Sequence, residues 1–460
     1  MSEKSFDEIF HVFEELSNSY KRTNQYFDVL YDSTSSVNIT KSRTSENIIV
    51  NTKKSGIVAR TFADTWRETT ITDFSEIKKV EEKLPRVVNK GKDLKEFDGW
   101  SLNEEIKPKI NPLEVPIDEK IKKVRDIYDY MIKYDDRIIN SEIRYQEQFS
   151  ERIFFNNEGC QLRQVIPRSR FFIIPIAKEG IIVDFDYYVD SGTVGFEIID
   201  KIDNNTLDET AQKSLDMLNA VSPPSGKYPV ILDPGMTGIV AHESFGHGLE
   251  ADQVMRDRSY LKAKYNQQVA SKICTICDSP AIDNALGSYF FDDEGIKAGK
   301  NILVKDGILK NFIYDRRTAS ALNNIPKGNG RRESFAHPVH PRMTNTYFEP
   351  GDYTLDEMIK SIKYGVILVH GYFGMEDPLG GSMQNTSKKG YLIENGERTK
   401  ILKAITLSGH VLETLPKIEA VSKGSIRIDG GTCGKGDEDY VPVGSGGTFI
   451  QIKEALISPG

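Results

Sequence analysis

Cysteine, histidine and long apolar runs are scarce in this sequence, and each shortage excludes a class of protein. The 460 residues include 4 cysteines and 7 histidines. So few cysteines in a long chain do not predict a disulfide framework, and we expect a reducing, cytoplasmic location. No run of about 18 apolar residues is present, so no membrane-spanning helix is predicted. The charged segment 1–8 lacks the apolar core of a signal peptide, and none is expected.

The charge composition argues against nucleic acid as the main partner. Lys and Arg number 60 against 68 Asp and Glu, which gives a net charge of −8. The basic residues are scattered rather than grouped in a patch, so we expect no nucleic-acid-binding surface. A hydrophobic content of 38% and a charged content of 28% are typical of a soluble globular protein. The length predicts two or three domains.

One short segment combines two of the histidines with a carboxylate: His242, Glu243 and His247. Neutral imidazoles bind zinc, and a neighbouring carboxylate can take a proton from water that the ion activates. The histidines are at i and i+5, one residue more than in the H-E-x-x-H motif, so on a regular helix the second is rotated about 140° from the first. A π-type bulge would absorb the additional residue, and Gly246 offers little steric resistance to it. We predict a zincin-like helix, the alternative being a helix with two unrelated histidines.

The local sequence does not identify the third metal ligand. A catalytic zinc site usually has three protein ligands and one open position. Cys433 lies in a glycine-dense segment, 430–436, that would let the backbone approach an ion, but a tight turn with an incidental thiol fits as well. Cys274 and Cys277 have apolar neighbours and are expected to be packed, inert thiols. The remaining candidates are carboxylates and four other histidines: His337, His340, His370 and His410.

The spacing of apolar residues predicts a first half made of helices and antiparallel strands. Helices are expected at 6–20, 74–84, 117–133 and 207–219. Strands are expected at 26–32, 46–51, 56–62, 65–72, 137–149, 151–156, 161–177 and 180–190. A polar stretch at 85–116 is expected to be loop.

A Ser-Pro-Pro-Ser-Gly stretch at 222–226 marks the predicted domain boundary. We therefore expect an N-terminal domain over 1–221 and a C-terminal domain over 222–460. The second is richer in glycine and in short strands. The predicted fold class is α+β: a helix-plus-antiparallel-sheet domain followed by a β-rich, barrel-like domain that carries the His-Glu active-site helix.

Six short sequence blocks follow one another between residues 230 and 450. They are HESFGHGLEAD (242–252), FDDEG (291–295), GNGRRESFAH (328–337), PRMTNTY (341–347), GYLIENG (390–396) and GGTCGKG (430–436). Together they resemble the TldD/PmbA family, specifically its TldD-type zinc metallopeptidase subunit. The first half of the chain matches that family only in general layout. Departures occur at 382–389 and at 437–440, and both leave the metal-binding positions intact.

The resemblance implies a function and a set of site residues. His242, His247 and Cys433 would bind one Zn²⁺ per chain, and Glu243 would act as the general base. Members of the family form dimers around a cavity in which unfolded peptides are cut, and PmbA-type subunits lack the ligands. We therefore expect a zinc metalloendopeptidase for unfolded or flexible peptides. It would work as a homodimer or as a heterodimer with an inactive paralogous subunit.

Three further residues are candidates for substrate binding. His337 could stabilise the oxyanion, although a packing role fits equally. Arg331 and Arg332 could clamp a peptide carboxylate or a backbone carbonyl, or could pair with Glu333 or the acidic run 292–294. That run could also support a ligand histidine, although a solvated turn is the more ordinary interpretation.

A competing hypothesis is a non-catalytic, peptide-binding regulator or chaperone-like subunit with a structural metal. The presence of Glu243 argues against it, since a structural site needs no base and is usually closed by four protein ligands. A direct role in binding DNA or gyrase is disfavoured by the acidic net charge.

Overall fold

The computed structural model describes residues 6–21, 26–62, 65–84 and 94–460. Its first half contains one large sheet with helices packed on it. In chain order the elements are α1 Phe6–Lys21, β1 Tyr26–Lys41, β2 Glu46–Phe62, β3 Trp66–Ile71, α2 Lys79–Lys83, β4 Ser101–Glu105, α3 Ile117–Tyr134, β5 Ile138–Asn156, β6 Gln161–Glu179, β7 Ile182–Phe185, β8 Tyr188–Gly192, α4 Glu197–Asp200 and α5 Asn204–Asp216.

The predicted helices at 6–20, 117–133 and 207–219 are confirmed, whereas several predicted strands proved too short. The segments 46–51 and 56–62 form one strand, β2, and 137–149 joins 151–156 in β5. Strand β1 pairs with both β2 and β5 along nearly its whole length. Because these ladders satisfy the backbone of polar residues as well as apolar ones, the polar interruptions do not end the strands. Of the predicted loop 85–116, residues 85–93 lie outside the described residues, and the remainder includes β4.

The strand order of this first sheet is β3-β2-β1-β5-β6-β4, and β7 and β8 also pair with β6. All these pairings are antiparallel except that of β4 with β6. Alternate residues of β6 face opposite ways. Phe171 and Ile173 pack in the core beneath α3 and α5, whereas Arg170, Phe172 and Ile174 line a cavity on the other face of the sheet.

The second half of the chain is mostly strand. Its elements are β9 Gly226–Leu232, α6 Pro234–Ile239, the π-helix Val240–Gly246, α7 Ala251–Met255, β10 Ile276–Asp278, β11 Asn301–Lys305, β12 Ile308–Leu309, α8 Arg316–Ala321, β13 Gly330–Arg331, β14 His340–Pro341, β15 Asn345–Phe348, α9 Leu355–Ser361, β16 Tyr364–Glu376, β17 Ser382–Glu394, β18 Glu397–His410, α10 Val411–Thr414, β19 Ile418–Val421, β20 Arg427–Lys435, β21 Glu438–Gly447 and β22 Ile450–Pro459.

Five of these strands close into a barrel, which confirms the predicted mixed fold with a barrel-like second half. The order is β18-β17-β16-β9-β22, and pairing of β18 with β22 closes it. A second sheet has the order β12-β11-β10-β15-β21-β20. Met236, Val240 and Phe245 from the helical segment after β9 are fully buried in one core with barrel residues such as Val366 and Leu407. In the described ranges no helix has both the length and the apolar character needed to cross a membrane.

Two buried carboxylates tie the first sheet to the barrel. Asp184 on β7 accepts from Lys388 at 2.6 Å and from Lys403 at 3.1 Å. Asp186, just beyond β7, lies 3.2 Å from the ammonium of Lys389, and its other oxygen bonds the Nδ1 atom of His370 at 2.9 Å. The two halves are thus held together by charged contacts. The division at 221–222 remains a prediction.

Candidate functional site

The histidine-bearing segment forms a π-helix, as the i, i+5 spacing predicts. The segment begins at α6, where the Asp233 side chain accepts from the backbone N–H of Met236 at 2.8 Å. The helix then widens to π geometry at Val240–Gly246, and His247 follows directly. This widening brings residues five apart onto one face. The ring centroids of His242 and His247 lie 5.2 Å apart.

Gly246 is required by packing rather than by backbone conformation. Its φ of −62° is ordinary for a right-handed helix. A Cβ atom at this position would, however, lie 2.0 Å from the sulfur of Met343, which is fully buried. The absence of a side chain therefore lets Met343, in the segment between β14 and β15, pack directly against the turn before His247.

The structure brings the three predicted metal ligands together. Ligand atoms of His242, His247 and Cys433 all lie within 4.8 Å of one another, and the Cys433 sulfur is 3.7 Å from Nε2 of His247. In a tetrahedral zinc site, bonds of about 2.0–2.1 Å to nitrogen and about 2.3 Å to sulfur place such a pair about 3.6 Å apart. The donor set of two imidazoles and one thiol is one that zinc prefers.

The electrostatics of the three side chains also suit a cation. Burial alone would raise the pKa of the Cys433 thiol, but the adjacent imidazoles of His242 and His247 lower it to about 5. The thiolate is therefore the favoured form at neutral pH, as a metal ligand must be. Nδ1 of His242 is buried without a hydrogen-bond partner among the described residues.

A buried ion pair fixes the strand that carries Cys433. Arg342 donates from Nη2 to the backbone oxygen of Cys433 at 2.5 Å and from Nη1 to the carboxylate of Glu438. Both Arg342 and Glu438 are fully buried. Because Glu438 lies on β21, which pairs with β20, this contact locks the hairpin that presents the thiol.

A second network orients His247. Its Nδ1 atom lies 3.5 Å from the carboxylate of Glu250, and Lys435 donates to that carboxylate at 2.9 Å. Burial alone would raise the pKa of Glu250, but Lys435 and His247 lower it to about 2, so the carboxylate is charged. A carboxylate on the far side of a ligand histidine fixes the ring and strengthens it as a donor. The i, i+3 spacing of His247 and Glu250 could have identified this pair from the sequence.

Glu243 lies beside the ligand atoms and faces a cavity. Its Oε2 atom is 3.7 Å from Nε2 of His247, and its side chain is 35% exposed. The cavity has a volume of about 930 Å³ and lies against the first sheet. Its lining includes His242 and Glu243 on one side, and Phe172, Ile174 and Tyr187 on the other.

The three predicted substrate contacts lie elsewhere. Arg331, Arg332 and His337 line a neighbouring cavity of about 890 Å³ whose lining does not include the histidine ligands. Arg331 donates to two main-chain oxygens of the chain itself, and Arg332 pairs with Glu68 at 3.0 Å. Nδ1 of His337 bonds the Ser334 hydroxyl at 2.9 Å. Their roles toward a substrate remain predictions.

The acidic run 292–294 is neither a solvated turn nor a partner of a ligand histidine. All three residues are at most 2% exposed. Asp293 accepts from Arg152 at 2.5 Å, and Glu294 accepts from the backbone N–H of Arg316 at 2.6 Å. The run is structural, because it neutralises cations and backbone donors where the two halves meet.

The remaining thiols are inert, as predicted. Cys160, Cys274 and Cys277 are free and buried. Burial raises the pKa of Cys274 and of Cys277 to about 12, so neither is a thiolate at neutral pH.

Sequence reasoning missed Glu376, at the end of β16. An added Cβ at Gly248 would lie 3.8 Å from its Oε1 atom, which places this carboxyl beside the turn that follows His247. Burial raises the pKa of Glu376 to about 8, so the group is largely protonated at neutral pH. No motif or spacing marks this residue, because its position depends on the end of a barrel strand.

The sequence is similar to known metallopeptidases in both halves of the chain. The family model described as the PmbA/TldA metallopeptidase C-terminal domain matches residues 225–450, and the model of the central domain matches residues 110–218. A metalloprotease of Methanocaldococcus jannaschii is 37% identical over 362 residues, which cover 78% of each chain. A zinc metalloprotease TldD homolog of Saccharolobus solfataricus is 32% identical, again over 78% of each chain.

Solved structures share the fold at low sequence identity. TldE from Thermococcus kodakarensis superposes with a TM-score of 0.75 and 17% identity, covering 97% of this chain and 100% of its own. A proposed modulator of a DNA gyrase from Thermotoga maritima gives a TM-score of 0.79 at 19% identity, covering 98% of this chain and 100% of its own. From the matched domains and the relatives in sequence, this chain belongs to the PmbA/TldD family of metallopeptidases.

Proposed function

We propose that this protein is a zinc-dependent metalloendopeptidase that hydrolyses unfolded or flexible peptides. The observation that carries the proposal is the convergence of His242, His247 and Cys433 within 4.8 Å, beside Glu243 and on the wall of a cavity of about 930 Å³. One Zn²⁺ held by these three ligands would supply a Lewis acid that polarises the scissile carbonyl and makes water acidic near neutral pH.

The chain's own residues carry the proton transfers. Glu243 takes a proton from the attacking water and delivers it to the leaving amine. Its position 3.7 Å from the ligand nitrogen of His247 keeps the carboxylate within reach of the reacting atoms. Glu250 and Lys435 hold the ring of His247, so that the ligand does not turn when charge develops.

The size of the cavity limits the substrate. A volume of about 930 Å³ is of the size that encloses a drug-sized ligand. A peptide segment fits this space, whereas a folded domain does not. The apolar side chains on the β6 side of the cavity supply binding area for an extended peptide.

We also propose that the enzyme works as a dimer, either with itself or with an inactive paralogous chain. The fold shared with TldE supports a partner of that kind. The alternative of a structural metal has less support, since the described residues offer three protein ligands and a base rather than four ligands.

The test is proteolysis of unfolded casein by the purified chain, with metal content measured on each sample. Wild type should cleave, and chelator treatment should abolish cleavage and remove the metal. Cys433→Ser should lose metal and activity together, whereas Glu243→Ala should keep the metal and lose activity. Full activity of Glu243→Ala would refute the assignment of the base. A fully metal-loaded wild type that fails to cleave, alone or with an added paralogous subunit, would favour the regulator.

A further inference from the structure

Of the five guanidinium groups that line one cavity of this protein, three lack a carboxylate partner in the described part of the chain. They belong to Arg168, Arg170 and Arg331, which we call the arginine cluster, and all three line the cavity of about 890 Å³. Arg170 also lines the cavity that contains His242 and Glu243, so it stands where the two cavities meet. Its Nε atom is buried without a hydrogen-bond partner among the described residues.

The other two members of the cluster donate to neutral oxygens. Their acceptors are main-chain carbonyls and one hydroxyl: Leu286 O at 2.9 Å, Ser288 O at 2.9 Å and Ser150 Oγ at 3.2 Å for Arg168, and Met343 O and Pro442 O at 2.6 Å each for Arg331. These bonds fix the two side chains but leave their charge without a counter-ion.

The carboxylates of the same cavity wall are already engaged. Glu147 accepts from Lys120 at 2.5 Å, and Glu333 accepts the backbone N–H groups of Asp439 and Tyr440 at 2.7 and 2.9 Å. The two remaining arginines of the wall are ion-paired, Arg152 with Asp293 and Arg332 with Glu68. No carboxylate on this cavity wall is therefore ion-paired with the arginine cluster in the described chain, although the charge of Asp293 favours the charged forms of Arg168 and Arg331.

Arg331 is buried and Arg168 and Arg170 are half-buried. Grouping such cations without an ion-paired carboxylate is unfavourable, and an anion from outside the chain would relieve it. Burial, together with the charges of Arg152 and Arg331, lowers the pKa of Arg168 to about 9. Burial and the charge of Arg144 also lower the pKa of Arg170. Both shifts have the direction expected where cations are crowded together and partly desolvated.

The position of Arg170 connects the cluster to the proposed catalytic site. Arg170 is paired across the sheet with Ser191 of β8, whose hydroxyl accepts from the backbone N–H of Gly430 at 3.0 Å. Gly430 and Cys433 lie on the same strand, β20, about 10 Å apart. The two lateral steps, from β6 to β8 and from β8 to β20, add about 5 Å each, so Arg170 and Cys433 are separated by about three or four residues of extended peptide.

We propose that the arginine cluster binds the C-terminal carboxylate of the peptide substrate, with Arg170 as the main donor. The guanidinium of Arg170 lies over the Phe172 ring at 5.0 Å but makes no hydrogen bond among the described residues, so its planar fork can match a carboxylate in bidentate fashion. Phe172 and Ile174, on the same face of β6, bind the preceding residues of the peptide. The inference rests on the proposed function and narrows its substrate class to flexible peptides with a free C terminus about three or four residues beyond the scissile bond.

The experiment compares three versions of one flexible peptide: a free acid without Asp or Glu, its C-terminal amide, and an amide with Asp as its last residue. KM, kcat and the masses of the products are measured for wild type, Arg170→Gln and Arg170→Lys. Arg163→Gln is the matched control, since Arg163 is on β6, pairs with Glu151 at 2.7 Å and lines neither cavity. Binding of the labelled acid and amide to Glu243→Ala is measured in parallel.

For wild type we expect a KM for the acid about tenfold or more below that for the amide, and release of short C-terminal fragments. Arg170→Gln should raise the KM of the acid to that of the amide with kcat and metal content unchanged. Arg170→Lys should recover part of the difference, and Arg163→Gln should keep all of it. Equal KM values for acid and amide in wild type would overturn the inference while leaving the peptidase proposal intact.

Two further outcomes separate the possibilities. If the Asp-containing amide binds as well as the free acid, the cluster recognises side-chain carboxylates and the assignment to the C terminus is wrong. If no peptide is cleaved by metal-loaded protein, alone or with an added paralogous subunit, the proposed function fails. Binding to Glu243→Ala then still decides the inference, which stands if the acid binds more tightly than the amide and falls if the two bind equally.

Discussion

Gly374 on β16 leaves the space that the side chain of Glu243 occupies, and Gly374→Ala should remove that space. A Cβ at residue 374 would lie 2.6 Å from Cγ of Glu243 and 2.6 Å from Cγ2 of Ile239. The Glu243 side chain is 35% exposed and can rotate into the cavity. The carboxylate should therefore move away from the ligands while the fold persists.

The expected magnitudes follow from these contacts. Glycine to alanine in a strand ordinarily stabilises by about 0.5–1 kcal/mol, and overpacking costs about 1–3 kcal/mol. The free energy of unfolding should therefore change by no more than about 2 kcal/mol. A positioned general base contributes about 10²–10⁴-fold to the rate, so kcat should fall by about 10²-fold.

Peptide hydrolysis, metal content and urea unfolding would be measured on the same preparations. Gly299→Ala is the control, because an added Cβ there meets nothing closer than 3.7 Å. In the Glu243→Ala background, Gly374→Ala should have no further effect, since the displaced group is already gone. Wild-type kcat in Gly374→Ala, or a full additional loss in the double variant, would refute the reasoning.

Three other perturbations have defined outcomes. Arg342→Met should lower the free energy of unfolding at pH 8 by about 3 kcal/mol or more, because it leaves the carboxylate of Glu438 buried without a partner. Burial raises the pKa of Glu438 to about 7 despite Arg342, so urea unfolding at pH 5 should show a smaller loss of stability. Equal losses at pH 8 and pH 5 would contradict this account. Burial opposes ionisation of Asp184 and Asp186, but their basic partners lower the pKa of each carboxyl. The two carboxylates therefore stabilise the folded state above the unfolded pKa of about 3.9, and this stabilisation is lost as pH falls through their folded pKa values. Thermal melts of Asp184→Asn/Asp186→Asn should lie below wild type at pH 7 and approach it below pH 4; a constant difference would count against these pairs. Removal of the metal by a chelator should make the Cys433 thiol the fastest to react with iodoacetamide at pH 7, because its pKa of about 5 is far below that of the other buried thiols. Equal labelling of Cys433 with and without metal, measured by mass spectrometry, would exclude it as a ligand.

The π-helix could be predicted from the sequence because two histidines five residues apart can meet one ion only if the helix widens. The contact between His247 and Glu250 could also have been predicted, since the two residues are only three positions apart in the sequence. The position of Cys433 beside the histidines could not be predicted from local spacing. It reaches the histidines through the pairing of β20 with β21, and local spacing contains no information about that pairing.

The strands of the first sheet were predicted too short for a related physical reason. Polar residues at 33–40 interrupt the apolar alternation, yet β1 continues through them because strands on both sides satisfy its backbone. That Arg170 has no carboxylate partner in the described chain could not be predicted from the sequence either. It depends on which carboxylates the fold brings within reach, and those carboxylates come from distant elements.

The separation of the ligands along the chain has a consequence for synthesis of the protein. His242 and His247 precede Cys433 by 191 and 186 residues, and strands β10 to β19 lie between them. A partly synthesised chain therefore holds the two histidines without the thiol, and its hold on zinc should be weak. Under the proposed function, proteolytic competence would arise only after the hairpin of β20 and β21 has docked, so that a nascent or misfolded chain would not digest its neighbours.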